Sequence, residues 1–235
     1  MDKKILSVVI PAYNESYTIG LVIEKVLNLK FINHWTIELI VVNDGSTDNT
    51  LEVLRKYQDK IILIDKNINE GKGSAVKYGL RVAKGDYVII QDADLEYDPV
   101  DYMIFLHMID SGYDVVFGSR VLNKNNIPYS RVYYYGGLLL TKLFNFLFKT
   151  NFTDLASCYK IFPRKYIKQI IKIKDNDFSF DFLGISHVLI LNEKNIIEVP
   201  IRYTPRSSKE GKKLNFFHGL KIFLSIIKLY INKYE

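Results

Sequence analysis

The first half of the chain alternates continuous apolar runs with segments whose apolar residues recur at helical spacing. Five runs are typical of buried strands, and they lie at residues 6–10, 36–42, 61–64, 87–91 and 115–117. Three segments with helical spacing lie between them, at residues 19–27, after residue 47 and at about residues 73–83. This alternation predicts an α/β fold, with a mostly parallel central sheet and helices on both faces.

Two carboxylates directly follow the fourth of these strands. Asp92 and Asp94 stand in the triplet Asp92-Ala93-Asp94, and Glu96 comes two residues later. Open α/β sheets bind their ligands at the carboxyl edge of the strands, where this triplet is expected to lie. Three carboxylates so close together repel one another unless a cation or strong donors neutralise them. The pattern predicts a site for a hard divalent cation, Mg²⁺ or Mn²⁺, and a polar turn after the strand is the alternative.

Three other loops are expected to meet the triplet at the same edge of the sheet. Their sequences are PAYNE at 11–15, NDGSTD at 43–48 and NEGKG at 69–73. The second loop offers Asp44 to the donors of a base or ribose, and the third places Lys72 and backbone amides at a helix N-terminus, which favours phosphate. Singly, each loop can be an ordinary turn or helix cap. Together with the triplet they predict a nucleotide-diphosphate site with a bridging metal.

Composition adds bounds to this picture. A length of 235 residues suits one sizeable core, and no internal repeat or low-complexity linker divides it. The single cysteine, Cys158, cannot form an internal disulfide, which is compatible with a reducing compartment. The first residues lack a signal-peptide pattern, so we expect the protein to stay in the cytosol. A net charge of +6 is compatible with nucleic acid, anionic lipid or phosphorylated ligands, and does not choose among them.

Four segments together carry a resemblance to a known family: VVIPAYNE, VVNDGSTDNT, NEGKGSAVKYG and DYVIIQDADLEYDP. They resemble the successive motifs of the inverting GT-A glycosyltransferases, in the family that contains dolichyl-phosphate mannose synthases and bacterial polyprenyl-phosphate sugar synthases. The resemblance continues in FGSR, in DLASCYKIFPR at 154–164 and in IIEVPIRYTPRSSKEGKKL at 196–214. The first segments are shared by many sugar transferases, whereas the CYK and EVPIxYxxRxxxEGKK segments point to the polyprenyl-phosphate branch.

The resemblance implies a GT-A (nucleotide-diphospho-sugar transferase) fold in one domain over residues 1–235. Residues 1–118 are expected to bind the nucleotide sugar and residues 119–235 the acceptor. Asp92 and Asp94 match the family's DxD motif, in which Asp94 is the expected direct metal ligand, and Glu96 stands in the same metal shell. The residues that match the family's base and ribose pocket are Pro11, Tyr13, Glu15 and Asp44. Lys72 falls in the NxGKG motif, and its charge predicts a contact with the diphosphate.

The acceptor side rests on cationic residues. Arg120 and Arg131 match family positions that hold the acceptor phosphate, and a guanidinium can grip two phosphate oxygens at once. A surface arginine is the alternative for Arg131. Arg206 and Lys212 belong to a segment rich in Lys and Arg at 202–213, which is expected to close over phosphate groups, or else to be a solvated charged loop. In the later FGFEPE-like segment this chain has FSFDFL at 178–183, so no carboxylate role is carried over there.

Two segments of the second half favour a membrane-borne acceptor. The stretch at 133–148 is rich in aromatic residues and leucine, but too short and polar to span a bilayer. The segment at 216–230 places Lys221 and Lys228 beside a broad apolar face, as in a helix that lies in the membrane interface; a core helix is the alternative. We therefore expect a peripheral protein at the cytosolic membrane face. A membrane-anchoring partner protein is compatible with this expectation. Nucleic acid is disfavoured, because the basic residues adjoin a carboxylate-lined pocket.

The predicted reaction is metal-dependent transfer of a hexose, with inversion, from a GDP-mannose or UDP-glucose type donor to a polyprenyl or dolichyl phosphate. A phosphate monoester, with a second pKa of about 6, is already largely anionic and needs no base. The second interpretation is a transferase acting on a saccharide hydroxyl, for which Asp181 or Asp154 is the candidate base. A sugar-phosphate nucleotidyltransferase ranks lower, because the loop PAYNE replaces the Gly-rich, Arg-bearing loop that it should show after its first strand.

Overall fold

The computed structural model describes residues 3–30, 34–128, 130–176, 179–193, 195–206 and 216–232. Its strands are β1 (Lys4–Ala12), β2 (Trp35–Asp44), β3 (Ile62–Lys66), β4 (Tyr87–Ile90), β5 (Val115–Ser119), β6 (Lys160–Pro163) and β7 (Ile196–Pro200). They form one sheet in the order β3-β2-β1-β4-β6-β5-β7. All neighbours are parallel except β6, which runs antiparallel to both β4 and β5. The predicted α/β fold with a mostly parallel sheet is confirmed.

Eight α-helices accompany the sheet in the described ranges. They are α1 (Ile19–Leu27), α2 (Thr50–Arg55), α3 (Lys72–Val82), α4 (Tyr102–Asp110), α5 (Arg131–Phe148), α6 (Ile167–Ile170), α7 (Ser186–Asn192) and α8 (Phe216–Asn232). Short 3₁₀ turns cover Pro99–Asp101 and Arg164–Tyr166, and a π-helical turn covers Phe180–Ile185. None of the described helices is both long and apolar enough to cross a membrane.

The sheet separates two apolar cores, because successive side chains of a strand point to opposite faces. In β1, Val8 and Ile10 are buried on the face that α1 and α4 cover, while Val9 is buried on the other face, against α3. The second core also takes in the π-helical turn and the inner side of α8, represented by Ile226. Helices therefore cover both faces, and the carboxyl ends of β1, β2 and β4 are left to form a site.

The sequence pattern did not indicate β6 and β7. Strand β6 comes from the second half of the chain and lies between β4 and β5, so these two strands of the first half are not neighbours. Strand β7 pairs with β5 in parallel, with Glu198 opposite Phe117 and Pro200 opposite Ser119. This arrangement brings the segment after β7 beside the acidic triplet, where an isolated bridge joins Tyr203 to Tyr97.

Candidate active site

Loops from both halves of the chain surround a cleft of about 330 Å³ at the carboxyl edge of the sheet. The predicted site residues that line it are Pro11, Tyr13, Glu15, Asp44, Lys72, Asp92, Asp94, Glu96, Arg120 and Arg206. Arg131 is not among the described lining residues, since it is exposed at the first position of α5. Lys212 lies outside the described residues. The structure thus brings together all the predicted site residues that it describes except Arg131.

A buried amide fixes the end of β4, from which the triplet starts. Gln91 is fully buried, and its Oε1 accepts hydrogen bonds from the Tyr102 hydroxyl at 2.7 Å and the Tyr159 hydroxyl at 2.5 Å. Tyr102 begins α4, and Tyr159 directly precedes β6. The backbone leading into Asp92 is therefore held from two sides by elements that the sequence pattern did not connect to it.

Lys72, at the first position of α3, joins the triplet to the second half of the chain. Its Nζ lies 2.6 Å from Asp92 Oδ1 and 2.5 Å from Asp181 Oδ2. Burial opposes the charged ammonium, but Asp181 and Asp92 together raise the pKa of Lys72 well above its usual value. Burial likewise works against the charge of Asp92, whose pKa is nevertheless lowered by Lys72. Lys72 therefore contacts carboxylates in this structure, at the N-terminal end of a helix where a phosphate is also favoured.

Arg206 places a second protein cation on the acidic loop. Its Nη2 donates to Asp94 Oδ2 at 2.7 Å, and its Nη1 donates to Glu15 Oε2 at 3.0 Å. Its backbone N–H donates to Glu96 Oε1 at 2.7 Å, and the Tyr203 hydroxyl donates to Glu96 Oε2 at 2.8 Å. The segment after β7 thus contacts both Asp94 and Glu96. Burial and the neighbouring charge of Asp92 still raise the pKa of Asp94 to about 7, because Arg206 compensates them only in part.

Carboxylates outnumber cations among the described residues around the cleft. The acidic lining residues are Glu15, Asp44, Asp92, Asp94, Glu96 and Asp181, and the basic ones are Lys72, Arg120 and Arg206. A diphosphate would add further negative charge, so its binding here calls for another cation. The hard oxygen donors of the triplet region suit Mg²⁺ or Mn²⁺ in their chemistry.

The described side chains are not arranged around a ready-made metal position. No three His, Cys, Asp or Glu residues within the described ranges form a group that could hold a metal ion. Instead, the Asp92 carboxylate forms an ion pair with Lys72, and the Asp94 carboxylate forms one with Arg206. A divalent cation at these two carboxylates would therefore compete with the protein's own cations for them.

Asp44 anchors the loop that leads into α3. It is almost fully buried, forms an ion pair with Lys66 and accepts the Gly71 N–H at 3.0 Å. The adjacent Gly45 has a φ of +67°, and a Cβ there would lie 2.5 Å from the backbone carbon of Ile68. Only glycine allows this close approach of the two loops. Asp44 therefore has a structural task in addition to the base or ribose contact predicted for it.

Hydrogen bonds of one asparagine join the loop after β1 to the loop after β2. Asn14 has a φ of +52°, a left-handed conformation that asparagine tolerates better than most residues. Its Oδ1 accepts the Thr47 N–H at 2.8 Å, and its backbone N–H donates to Ser46 Oγ at 3.0 Å. The next residue, Glu15, donates its N–H to Thr50 Oγ1 at 2.9 Å. These bonds explain why PAYNE and NDGSTD lie together, with Tyr13 and Glu15 in the cleft lining.

Arg120 directly follows β5 and is paired with Asp154. Its Nε and Nη2 donate to the two carboxylate oxygens at 2.7 and 2.8 Å, and its backbone N–H also donates to Asp154. The guanidinium lies 5.1 Å from the ring centroid of Tyr203. Burial opposes the charge, but Asp154 raises the pKa of Arg120 well above its usual value. The side chain keeps 23% exposure and is part of the cleft lining.

Sequence reasoning assigned no role to several residues that the structure brings to the cleft. These residues are Tyr97, Cys158 and Tyr203, which line it. Asp154, which the sequence offered only as a candidate base, is instead the partner of Arg120. Cys158 and Tyr203 lie in the quoted segments DLASCYK and EVPIRY, so the family motifs carried the signal that they matter. What the motifs could not give was the partner of each residue, because the partners are far apart in the chain.

Comparison with solved structures identifies the class of this fold. The glucosyl-3-phosphoglycerate synthase of Mycobacterium tuberculosis, solved with Mn²⁺, UDP and phosphoglyceric acid, is similar at a TM-score of 0.68 and 17% identity. The match covers 97% of this chain and 78% of that one. At this identity the likeness concerns the fold alone, which is the GT-A fold.

Sequence comparison then gives the family. The model of glycosyl transferase family 2 matches residues 7–171, and the chain belongs to this family. An uncharacterised protein of Methanocaldococcus jannaschii, MJ1222, is 32% identical over 97% of this chain and 93% of its own length. An undecaprenyl-phosphate 4-deoxy-4-formamido-L-arabinose transferase of Edwardsiella ictaluri is 26% identical over 88% of this chain. The chain spans about three fifths of the length of that relative and of another curated one. The predicted family resemblance is confirmed.

Proposed function

We propose that the protein transfers a hexose, with inversion, from a nucleotide diphosphate sugar of the GDP-mannose or UDP-glucose type to a polyprenyl or dolichyl phosphate. One observation carries this proposal. A single cleft contains the carboxylates of Asp92, Asp94 and Glu96 and, at its wall, the guanidinium of Arg120, which pairs with Asp154 and lies against the ring of Tyr203. The name of the Edwardsiella relative supports the same class of acceptor.

The donor half of the proposal follows from the charges around the triplet. Cleavage of the sugar–diphosphate bond develops negative charge on the departing nucleoside diphosphate, and cations that stabilise this charge lower the barrier. Asp92, Asp94 and Glu96 would hold a Mg²⁺ or Mn²⁺ ion, which supplies that stabilisation when bound. Lys72 and Arg206, displaced from their carboxylates, would then be free to contact the diphosphate oxygens. Tyr13, Glu15 and Asp44 would surround the base and ribose.

The acceptor half follows from the state of the candidate bases. A saccharide hydroxyl must lose a proton to a base, whereas a phosphate monoester attacks as an anion. Asp154 is engaged by both Nε and Nη2 of Arg120, whose charge lowers the pKa of Asp154 despite burial. Asp181 is paired with Lys72. Since both carboxylates face cations, the arrangement favours a phosphate acceptor over the hydroxyl acceptor of the second interpretation.

Exposed apolar side chains on two adjoining helices support a membrane-borne acceptor. The rings of Phe148 in α5 and Tyr230 in α8 lie 6.0 Å apart, so the two helices are in contact. Their exposed apolar residues are Val132, Tyr133, Tyr135, Leu139 and Phe146 in α5, and Leu220, Phe223, Leu224 and Ile231 in α8. The opposite side of α8 is buried, which makes it a core helix on one side and a candidate interfacial helix on the other.

The proposed reaction is tested by a donor screen. We expect label from one radioactive nucleotide sugar to enter the organic phase when the protein is incubated with polyprenyl phosphate and Mg²⁺ or Mn²⁺, and excess chelator to abolish the transfer. The same donors with soluble saccharides form the second arm. Label that enters only a saccharide would contradict the lipid-phosphate acceptor, and Asp181 would then be the base to test.

Membrane association is expected to depend on the exposed side of α8. Replacement of Phe223 and Leu224, which are 41% and 60% exposed, by Asp should release the protein from anionic liposomes in a flotation assay. Salt should weaken the wild-type association, because Lys221 and Lys228 adjoin this face and electrostatic attraction to head groups is screened.

The matched control for this prediction is Leu21→Asp, an exposed leucine of α1 on the other face of the sheet. This variant should float like the wild type. In both variants, activity on a short water-soluble prenyl phosphate should persist, because Leu21, Phe223 and Leu224 are not among the described residues that line the cleft. If the wild-type protein does not bind anionic liposomes even at low salt, the interfacial role of α8 is contradicted.

A further inference from the structure

Glu198 is a half-buried carboxylate of β7 that is not among the described residues lining the cleft. Its Oε2 accepts hydrogen bonds from the Thr153 N–H at 2.7 Å and from Thr153 Oγ1 at 3.0 Å. Its Oε1 accepts the Asp154 N–H at 3.0 Å. All three hydrogen bonds therefore go to two consecutive residues, and the second of these is the partner of Arg120.

The same two residues are joined to the end of β5. Thr153 Oγ1 lies 2.6 Å from Ser119 Oγ, and the Asp154 carboxylate accepts the Nε, Nη2 and backbone N–H groups of Arg120. Glu198 thus holds the backbone of the segment whose side chain holds Arg120. A continuous set of hydrogen bonds links β7 to the guanidinium at the cleft wall.

We propose that Glu198 is a positioning residue, which acts through Asp154 to fix the Arg120 guanidinium in the orientation that receives the acceptor phosphate. This inference rests on the proposed function, because it assigns Arg120 to the acceptor. A bidentate guanidinium–phosphate contact depends on the orientation of a planar group. A small rotation of the guanidinium therefore weakens binding of the phosphate more than it would at a contact between two point charges.

The chemistry of the contact requires a carboxylate. Both oxygens of a carboxylate are acceptors, so it can accept hydrogen bonds from all three donors. A glutamine amide has only one acceptor oxygen, and its NH₂ group is itself a donor. In Glu198→Gln one edge of the amide would face an N–H donor of Thr153 or Asp154. The segment would shift to relieve this contact, and Asp154 would move with it.

The test compares Glu198→Gln with a control of the same chemistry at a distant place. Glu38 in β2 is also half-buried and accepts the Lys84 N–H at 2.8 Å and the Ser7 hydroxyl at 2.5 Å, but it is not among the described lining residues. Glu38→Gln therefore reports the general effect of losing such a carboxylate on a strand. A short water-soluble prenyl phosphate serves as acceptor, so that membrane binding does not enter the measurement.

We expect Glu198→Gln to raise the KM for the prenyl phosphate about tenfold, with the Kd for the donor nucleotide unchanged, because only the positioning of Arg120 is affected. Glu38→Gln should leave both constants at the wild-type value. The double variant Glu198→Gln, Arg120→Lys should be no worse than Arg120→Lys alone, since two residues that act through one contact are not additive.

Two results would overturn the inference. One is an unchanged acceptor KM in a folded Glu198→Gln protein, and the other is a double variant in which the two losses multiply. If Glu198→Gln fails to fold, Thr153→Val, which removes the Thr153 Oγ1 contacts with Glu198 and Ser119, should raise the same KM to a smaller extent, and an unchanged KM there counts against the inference. A wild-type protein that uses no prenyl phosphate instead refutes the proposed function, and the inference falls with it.

Discussion

Asp94→Ala is expected to lower kcat/KM for sugar transfer by about a hundredfold or more, with the fold intact. Asp94 is the carboxylate of the triplet that pairs with Arg206 in this structure, and the proposed metal would take Arg206's place. Without that ligand, the charge on the departing diphosphate loses much of its stabilisation. The measurement is steady-state transfer at saturating Mn²⁺, with Mn²⁺ binding followed separately by electron paramagnetic resonance.

The control for this prediction is Asp59→Ala, an exposed aspartate in the turn after α2. It should retain wild-type turnover and Mn²⁺ affinity. Circular dichroism and the Tm of each variant establish that both proteins are folded. Near-normal turnover by folded Asp94→Ala, or wild-type activity that persists in excess chelator, would refute the metal assignment.

Arg120→Lys is expected to reduce use of the lipid phosphate by about ten- to a hundredfold, while nucleotide binding stays close to wild type. Lysine keeps the charge but loses the planar group that contacts Asp154 through two nitrogens, and hydrogen bonds to charged groups are worth about 1.5–3 kcal/mol each. The readouts are KM and kcat with a soluble prenyl phosphate, together with the donor Kd from calorimetry.

Arg202→Lys is the matched control, because Arg202 is exposed and pairs with Asp101 in a separate shallow depression. It should behave as the wild type. Arg131→Lys forms a further arm, and a loss there would assign the exposed start of α5 to the acceptor path. If Arg120→Lys instead lost donor binding and kept its use of the acceptor, Arg120 would be a donor-binding residue and the prediction would be wrong.

The alternation of the first half could be predicted because its strands contain continuous apolar runs, which in β1, β4 and β5 are buried on both faces. Strand β6 could not, since it is four residues long and begins with a lysine. Lys160 is nevertheless 1% exposed, and its ammonium donates to the carbonyl oxygens of Leu155 and Ser157. Burial lowers the pKa of Lys160 to about 8, which a residue in solvent would not show. A charged residue satisfied by backbone carbonyls gives no apolar signal in the sequence.

In the candidate site, too, some features could be predicted from the sequence and others could not. Residues of the triplet and of the three loops could be named from their position after strands, because parallel strands bring their carboxyl ends to one edge. The ion pairs could not, since Arg206 and Asp94 are 112 residues apart and Arg120 and Asp154 are 34 apart. Their contact depends on β6 and β7 entering the sheet beside β4 and β5, which periodicity did not reveal.

The place of β6 in the sheet makes the chain one unit in folding. Strand β5 belongs to the half assigned to the donor, yet its two neighbours, β6 and β7, come from the half assigned to the acceptor. A fragment that stopped after residue 118 would leave β5 unpaired and the outer edge of β4 open, and open strand edges promote aggregation. Long-range pairing of this kind also slows folding, because distant segments must meet before the sheet closes. The proposed donor and acceptor halves are therefore not separate folding units, and exchange of one half between relatives would cut through the middle of the sheet.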